Sequence, residues 1–127
     1  MPKKILIVDD DPDLVEAVTM ILESKKYDVA AAYGGLEGLA KARTEKPDLI
    51  VLDVMMPDKD GYAVCKEMKA DPKLSKIPIL LLTAVVSKIP TTHYTQQMGM
   101  ETEADDYMDK PVEPAELVNR IEVLLAK

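Results

Sequence analysis

The sequence predicts an α/β domain built around a parallel sheet. Short apolar runs alternate along the chain with segments whose apolar residues recur three and four positions apart, a pattern typical of strands alternating with amphipathic helices. The runs are continuously apolar, as expected for parallel strands that are covered on both faces. With 127 residues, 47% of them hydrophobic and 31% charged, the chain is long enough for one core and is most simply a single domain over residues 1–127.

Five apolar runs are the candidate strands, and each has the short length of a buried strand. In chain order they are residues 4–8 (KILIV), 27–32 (YDVAAA), 49–52 (LIVL), 77–82 (IPILLL) and the weaker 106–109 (DYMD).

Four segments have the apolar spacing of an amphipathic helix with one buried stripe. Their stripes are Leu14, Val15, Val18, Ile21 and Leu22; Leu36, Leu39 and Ala40; Tyr62, Val64, Cys65 and Met68; and Leu117, Val118, Ile121, Leu124 and Leu125. Local start signals mark three of them: Asp11 before Pro12, Asp60 before Gly61, and Pro114. The GGLEG stretch at 34–38 lacks the lysine and glycine spacing of a phosphate-binding loop, so it is interpreted as a helix entry.

Composition excludes several classes of protein. Sixteen Lys and Arg against 23 Asp and Glu give a formal net charge of −7, which argues against direct nucleic-acid binding. The single cysteine, Cys65, excludes an internal disulfide and is interpreted as a small buried helix residue. No apolar run approaches the roughly 20 residues of a membrane span, and the N-terminus lacks a signal-peptide pattern. We therefore expect a cytoplasmic protein without a membrane partner.

Polar residues follow four of the five predicted strands. They are Asp9, Asp10 and Asp11 after the first, Asp53 after the third, Thr83 after the fourth, and Lys110 with Pro111 after the fifth. Ligands of open parallel sheets bind outside the carboxyl ends of the strands, where the crossovers diverge. The sequence therefore predicts that these residues meet at one edge of the sheet.

The chemistry of these groups points to phosphoryl transfer. Several carboxylates at one edge repel one another unless a cation compensates them, and oxygen ligands suit Mg²⁺. An Asp neutralised by a metal ion can attack phosphorus and form an acyl phosphate. Lys110 could then balance the phosphoryl charge, and the Thr83 hydroxyl could donate a hydrogen bond to it.

Four ordered stretches resemble the receiver domain of two-component response regulators, of which the chemotaxis regulator is one. These stretches are ILIVDDDPDL, LDVMMPDKDGY, ILLLTA and ADDYMDKPVEPAELV, and together they extend over essentially the whole chain. The resemblance implies a flavodoxin-like, doubly wound, five-stranded parallel sheet of order 2-1-3-4-5, with five helices in three layers.

The resemblance also implies roles for individual residues. Asp53 matches the phosphoacceptor, and Asp9 and Asp10 match the acidic pair at the Mg²⁺ ion, with Asp10 the more direct ligand. The backbone carbonyl of Met55 matches another metal ligand. Thr83 and Tyr107 match the switch residues, and Lys110 matches the family lysine, with a cis bond to Pro111. Of the three consecutive acids at positions 9 to 11, Asp11 is interpreted as the cap of the first helix.

A receiver domain takes a phosphoryl group from a phosphohistidine on a sensor histidine kinase or a histidine phosphotransfer protein. It catalyses only its own phosphorylation and dephosphorylation, so we do not expect an enzyme acting on other molecules. The added charge would change the surface formed by helix four, strand five and helix five for a downstream partner or effector domain that the sequence does not identify, and a phosphorylation-dependent dimer is compatible with the family. No output domain is expected within these 127 residues.

Some features depart from the family pattern. The segment between Thr83 and Lys110 is several residues longer than usual and contains Pro90, so its helix is expected to be shortened, displaced or mobile. Met55 and Val85 flank the water route of the family and carry no polar side chain, which predicts slow self-dephosphorylation.

Three other classes of protein share part of this pattern. A haloacid dehalogenase phosphatase would need an acid where Met55 stands. A flavodoxin would need a Ser/Thr-rich phosphate loop in place of DDDPD. The remaining alternative is a receiver-like interaction module that is never phosphorylated.

Overall fold

The computed structural model describes residues 2–84 and 104–126, apart from the side chain of Ala84. In chain order the strands and helices are β1 (Lys4–Val8), α1 (Pro12–Ser24), β2 (Asp28–Ala32), α2 (Gly35–Glu45), β3 (Leu49–Asp53), α3 (Gly61–Ala70), β4 (Ile79–Ala84), β5 (Asp106–Lys110) and the C-terminal helix α4 (Pro114–Ala126). From β1 to β4 strands and helices alternate as predicted, and a further helix follows β5. The helix expected between β4 and β5, and with it Pro90 and Val85, lies outside the described residues.

The five strands form one parallel sheet in the order β2-β1-β3-β4-β5, which confirms the flavodoxin-like prediction. From β1 the chain crosses outward to β2 and then returns past β1 to β3. The crossovers therefore diverge between β1 and β3, and this is the point where doubly wound sheets bind their ligands.

Two apolar clusters cover the two faces of the sheet. One contains Leu6 and Val8 of β1 packed with α2 and α3, and the other contains Ile5 and Ile7 packed with α1 and α4. Successive residues of a strand point to opposite faces, so a strand covered on both sides must be apolar at every position. The continuous apolar runs of the sequence reflect this three-layer arrangement.

Local capping explains where the helices begin. The Asp11 side chain accepts hydrogen bonds from the backbone N–H groups of Asp13 and Leu14, and Asp60 accepts one from Tyr62. Both caps were predicted. At α4 the carboxylate of Glu113, which the sequence did not single out, accepts hydrogen bonds from the N–H groups of the first turn.

The predicted stripe of α2 was wrong in part. Leu39 is buried, but Leu36 is 62% exposed and Ala40 is also exposed. The buried face consists instead of Gly35, Gly38, Leu39 and Ala42. A Cβ atom on Gly38 would lie 2.7 Å from Cγ1 of Val8, so the helix lies too close to β1 for a larger residue. Apolar periodicity missed this face because glycine and alanine form most of it.

Two further observations concern the composition of the chain. Cys65 is fully buried in α3, as predicted. Within the two described ranges there is no helix with both the length and the apolar character needed to cross a membrane.

Candidate functional site

The site lies at the carboxyl edge of the sheet, at the divergence between β1 and β3. Asp9 directly follows β1, and Asp53 is the last residue of β3. Val8 and Leu52 are partners in the strand register, so the residues that follow them are brought side by side. The strand ends thereby bring together two carboxylates that are far apart in sequence.

Three carboxylates form a compact acidic cluster. Asp9, Asp10 and Asp53 each place an oxygen within 4.8 Å of the others. Asp9 is fully buried and Asp53 is 2% exposed, whereas Asp10 faces solvent. Both oxygens of Asp9 are engaged, since Oδ1 accepts the N–H of Asp11 at 2.9 Å and Oδ2 accepts Lys110 Nζ at 3.0 Å.

Lys110 bridges the two buried carboxylates. Its Nζ lies 3.0 Å from Asp9 Oδ2 and 3.0 Å from Asp53 Oδ1, and its side chain is 24% exposed. The Asp9 contact is an aligned hydrogen bond, but the Asp53 contact is only an ion pair. Within the described part of the chain, no donor is aligned for a hydrogen bond to Asp53 Oδ1. The bond from Lys110 to Pro111 is cis, as the resemblance implied.

The pKa values of this pair reflect burial and mutual charge. Burial raises the pKa of Asp53 above its ordinary value, and the charge of Asp9 adds to this; Lys110 and the N–H of Met55 offset it only in part. Burial alone would lower the pKa of Lys110, but its contacts with Asp53 and Asp9 outweigh burial and raise that pKa. At neutral pH Lys110 is therefore a firmly charged cation between two acids.

The cluster fits a small divalent cation. Three carboxylates facing one lysine leave an excess of two negative charges, and Asp53 Oδ1 is a buried acceptor for which the described residues supply no aligned donor. Oxygen ligands with excess negative charge suit Mg²⁺ better than a softer metal ion. These residues could therefore hold the predicted metal ion.

On β4, Thr83 directly follows Leu82, the register partner of Asp53, whereas Tyr107 lies three residues before Lys110 on β5. The Thr83 side chain is mostly buried, and its Oγ1 donates a hydrogen bond to Oδ1 of Asp109 at 2.9 Å. The Tyr107 side chain is half-buried and packs against the apolar core on the α2 and α3 side of the sheet. The sequence had not singled out Asp109, although the DKP triplet places an acid directly before Lys110.

The loop after β3 contributes Met55 and an unexpected contact from Asp58. Met55 is 69% exposed and follows Asp53 at the same edge. The Asp58 carboxylate accepts hydrogen bonds from the N–H groups of Gly35 at 3.0 Å and Leu36 at 3.1 Å, and so caps α2 from another loop. These bonds lower the pKa of Asp58. A cap supplied from 22 residues away leaves no local sequence signal.

A doubly wound parallel sheet with an acidic trio, a lysine and a neighbouring threonine at its switch point defines a receiver domain. The chain belongs to this family: the response regulator receiver domain model matches residues 5–122. The family resemblance recognised in the sequence is thereby confirmed.

Known proteins support the assignment. The chain is 45% identical over its full length to the alkaline phosphatase synthesis transcriptional regulatory protein PhoP of Bacillus subtilis, and 39% identical to the DNA-binding response regulator MtrA of Mycolicibacterium smegmatis. It covers 50% and 52% of these proteins, so it spans about half the length of the curated relatives it matches. The crystal structure of a response regulator from Chloroflexus aurantiacus superposes with a TM-score of 0.89, at 37% identity and full coverage of both chains.

The expectation that the protein does not bind nucleic acid directly was wrong. MtrA is named a DNA-binding response regulator and PhoP a transcriptional regulatory protein. The argument from a net charge of −7 failed because it describes 127 residues, whereas these relatives are about twice as long. The charge of one part of a regulator does not report on the charge of another.

Proposed function

We propose that this chain is a phosphoacceptor receiver, in which Asp53 takes a phosphoryl group from a phosphohistidine of a sensor kinase or phosphotransfer protein. One observation carries the proposal: Asp53 is a nearly buried carboxylate at the switch point, with Lys110 at 3.0 Å and two more acids within 4.8 Å. Such an arrangement is costly for folding alone, since it places like charges together in a poorly solvated site. The arrangement is understandable if the site performs chemistry.

The proposed transfer uses the residues of the chain as follows. A carboxylate oxygen of Asp53 attacks phosphorus, the bond between phosphorus and the imidazole nitrogen breaks, and the freed imidazole takes a proton from solvent. The product is an aspartyl phosphate. Lys110, whose raised pKa keeps it charged, pairs with the phosphoryl oxygens, and the Thr83 hydroxyl donates a hydrogen bond to them.

The carboxylates of Asp10 and Asp53 and the backbone carbonyl of Met55 would hold Mg²⁺, and Asp9 would add its charge beside them. When bound, the ion supplies positive charge that offsets the repulsion between the carboxylates and the incoming phosphoryl group. Asp10 suits direct binding because it faces solvent, whereas both oxygens of Asp9 are engaged.

The test is intact-mass spectrometry after incubation with acetyl phosphate, with and without Mg²⁺, on wild type and Asp53→Asn. The expected result is one phosphoryl adduct that requires both Mg²⁺ and Asp53. An adduct on Asp53→Asn would reject Asp53 as the acceptor. No adduct in any sample, together with no Mg²⁺ binding, would instead support the interaction-module alternative.

We expect the phosphoryl group to be lost slowly, and the protein to catalyse no reaction other than its own phosphorylation and dephosphorylation. The exposed side chain of Met55 has no polar group that could orient an attacking water molecule. Replacing Met55 by Asn should shorten the lifetime of the adduct several-fold, measured by the decay of adduct mass after removal of acetyl phosphate. An unchanged lifetime in Met55→Asn would contradict this explanation.

We further propose that phosphorylation controls DNA binding by the regulator to which this chain belongs. The support is that PhoP and MtrA match the chain over its full length and carry transcriptional or DNA-binding names. The signal would pass through the segment before β5, through β5 itself, and through the C-terminal helix α4, which is the fifth helix of the family pattern. Expression of the complete reading frame and selection of genomic DNA fragments, with and without acetyl phosphate, tests this. DNA retention that does not depend on Asp53 would argue against control by phosphorylation.

A further inference from the structure

The hydroxyl of Thr83 is bound to a carboxylate that the proposed reaction does not use. Thr83 and Asp109 are direct partners in the register of β4 and β5, and their side chains meet at 2.9 Å. Thr83 is mostly buried, whereas Asp109 is exposed. The hydrogen bond therefore lies at the boundary between the sheet and solvent, beside the site.

This bond competes with the phosphoryl group for a single proton. A threonine hydroxyl has one hydrogen and can donate it to one acceptor at a time. In the described ranges the carboxylate of Asp109 forms no ion pair with Lys or Arg, and the neighbouring Lys110 is paired with Asp9 and Asp53. The charge of Asp109 thus remains available to the Thr83 hydroxyl, and a hydrogen bond to a charged acceptor is stronger than one to a neutral acceptor.

Building on the proposed function, we propose that Asp109 is a positioning residue that holds Thr83 in its unphosphorylated arrangement. The hydroxyl can reach the phosphoryl oxygens only after it leaves Asp109. The free energy of the lost bond is subtracted from the gain at the phosphoryl group, so Asp109 lowers the population of the switched state at any level of phosphorylation.

The test is a binding titration with beryllium fluoride in the presence of Mg²⁺, since this tetrahedral group mimics a phosphoryl group on a carboxylate. Four proteins form a double-mutant cycle: wild type, Asp109→Ala, Thr83→Ala, and the double variant. When Thr83 is present, Asp109→Ala should bind beryllium fluoride about tenfold more tightly than wild type, the factor expected for a hydrogen bond to a charged acceptor. In the Thr83→Ala background, the same substitution should change affinity by less than about twofold.

A matched control separates this contact from simple charge repulsion. Asp13 is an exposed acid in the first turn of α1, at the same edge of the sheet. Asp13→Asn removes one negative charge without touching Thr83, and it should leave the affinity within about twofold of wild type. The NMR shift of the Thr83 methyl group, recorded without any ligand, should change in Asp109→Ala but not in Asp13→Asn.

The outcomes are distinct. An equal gain from Asp109→Ala in both backgrounds would overturn the proposal, because the effect would then be electrostatic repulsion alone. No gain in either background would also overturn it, since the contact would not oppose switching. If wild type itself bound no beryllium fluoride while the Thr83 methyl shift still responded to Asp109→Ala, the contact would be real but the proposed phosphoacceptor function would fail, and the positioning role with it.

Discussion

At the scale of single residues, the site is a balance of charges that folding alone does not favour. Asp9 and Asp53 are both nearly inaccessible to solvent, and Lys110 is the described cation that contacts them. Buried ion pairs often contribute little net stability, but removing one partner leaves an uncompensated charge. Lys110 should therefore matter for stability as well as for chemistry.

We expect Lys110→Met to lower the free energy of unfolding in metal-free buffer by about 3 kcal/mol, because two buried carboxylates then face each other without a cation. Added Mg²⁺ should restore part of this loss, and the variant should bind Mg²⁺ more tightly than wild type because the competing ammonium is gone. Urea unfolding in EDTA and in Mg²⁺ measures both effects.

Lys3→Met is the matched control, since Lys3 is an exposed lysine outside this cluster. It should unfold within about 0.5 kcal/mol of wild type. If Lys110→Met were as stable as wild type in EDTA, the carboxylates of Asp9 and Asp53 would be better solvated than the structure indicates.

Sequence alone predicted Asp9, Asp10, Asp53 and Lys110 because each lies at or directly after a strand, where the fold class fixes its place. It did not predict the bond between Thr83 and Asp109. That contact depends on the register of β4 against β5 and on side-chain rotamers, and neither is encoded by local spacing.

At the scale of elements, α2 depends on a cap from the loop that follows Asp53. Gly34 offers no side chain, and Asp58 satisfies the first N–H groups of the helix instead. Hydrogen bonds from the N–H groups of Gly35 and Leu36 lower the pKa of Asp58. Because the pKa is lower in the folded state, the stabilisation is present above the unfolded value of about 3.9 and is lost as pH falls through the folded value.

We accordingly expect Asp58→Ala to have a lower Tm than wild type at pH 7, and the gap to close as pH falls below about 4. Asp58→Asn should lose less, since one amide oxygen can still accept a hydrogen bond. Thermal unfolding followed by circular dichroism between pH 7 and pH 3 gives the comparison. A gap that stays constant over this range would mean that the charge of Asp58 plays no part in the cap.

The close approach of α2 to β1 gives a second prediction about the elements. Gly38→Ala should lower the free energy of unfolding by about 1–2 kcal/mol, because overpacking against Val8 exceeds the gain in helix propensity. In a Val8→Ala background the colliding methyl groups are absent, so the same change should be neutral or stabilising. Denaturant unfolding of wild type, the two single variants and the double variant measures the coupling free energy between positions 38 and 8. If the two losses of stability simply add, α2 shifts freely away from β1.

The helices also show where periodicity works as a predictor. The stripes of α1, α3 and α4 were predicted because large apolar residues form them, whereas the buried face of α2 is formed mainly by Gly35, Gly38 and Ala42. Small residues give almost no hydrophobic signal, yet they allow the closest packing.

At the scale of the whole molecule, the site is attached to the most buried part of the fold. Residues 5–8 of β1 and 49–52 of β3 are completely inaccessible to solvent, and these strands end at Asp9 and Asp53. A ligand that binds only the folded site should therefore stabilise the whole domain and not just one loop.

Mg²⁺ at ten times its dissociation constant should stabilise the folded state by about 1.4 kcal/mol. The free energy of opening of the most protected amides in β1 and β3 should rise by the same amount, and their hydrogen exchange should slow accordingly. In Asp53→Asn this gain should be much smaller, because one of the three carboxylates has lost its charge. Hydrogen exchange followed by NMR measures it. Slowing confined to the loops after these strands would show that metal binding is uncoupled from global unfolding.

The contact between Lys110 and Asp9 spans 101 positions of the chain. During synthesis from the N-terminus, Asp9 and Asp53 leave the ribosome well before the lysine that pairs with them. A nascent chain ending after β4 therefore has Asp53, the proposed phosphoacceptor, but lacks its counter-ion Lys110, and the edge position beside β4 is still empty. The site is completed only when β5 docks, so this domain should become able to receive a signal only after its fifth strand has been synthesised, although the other four strands of the sheet can form earlier.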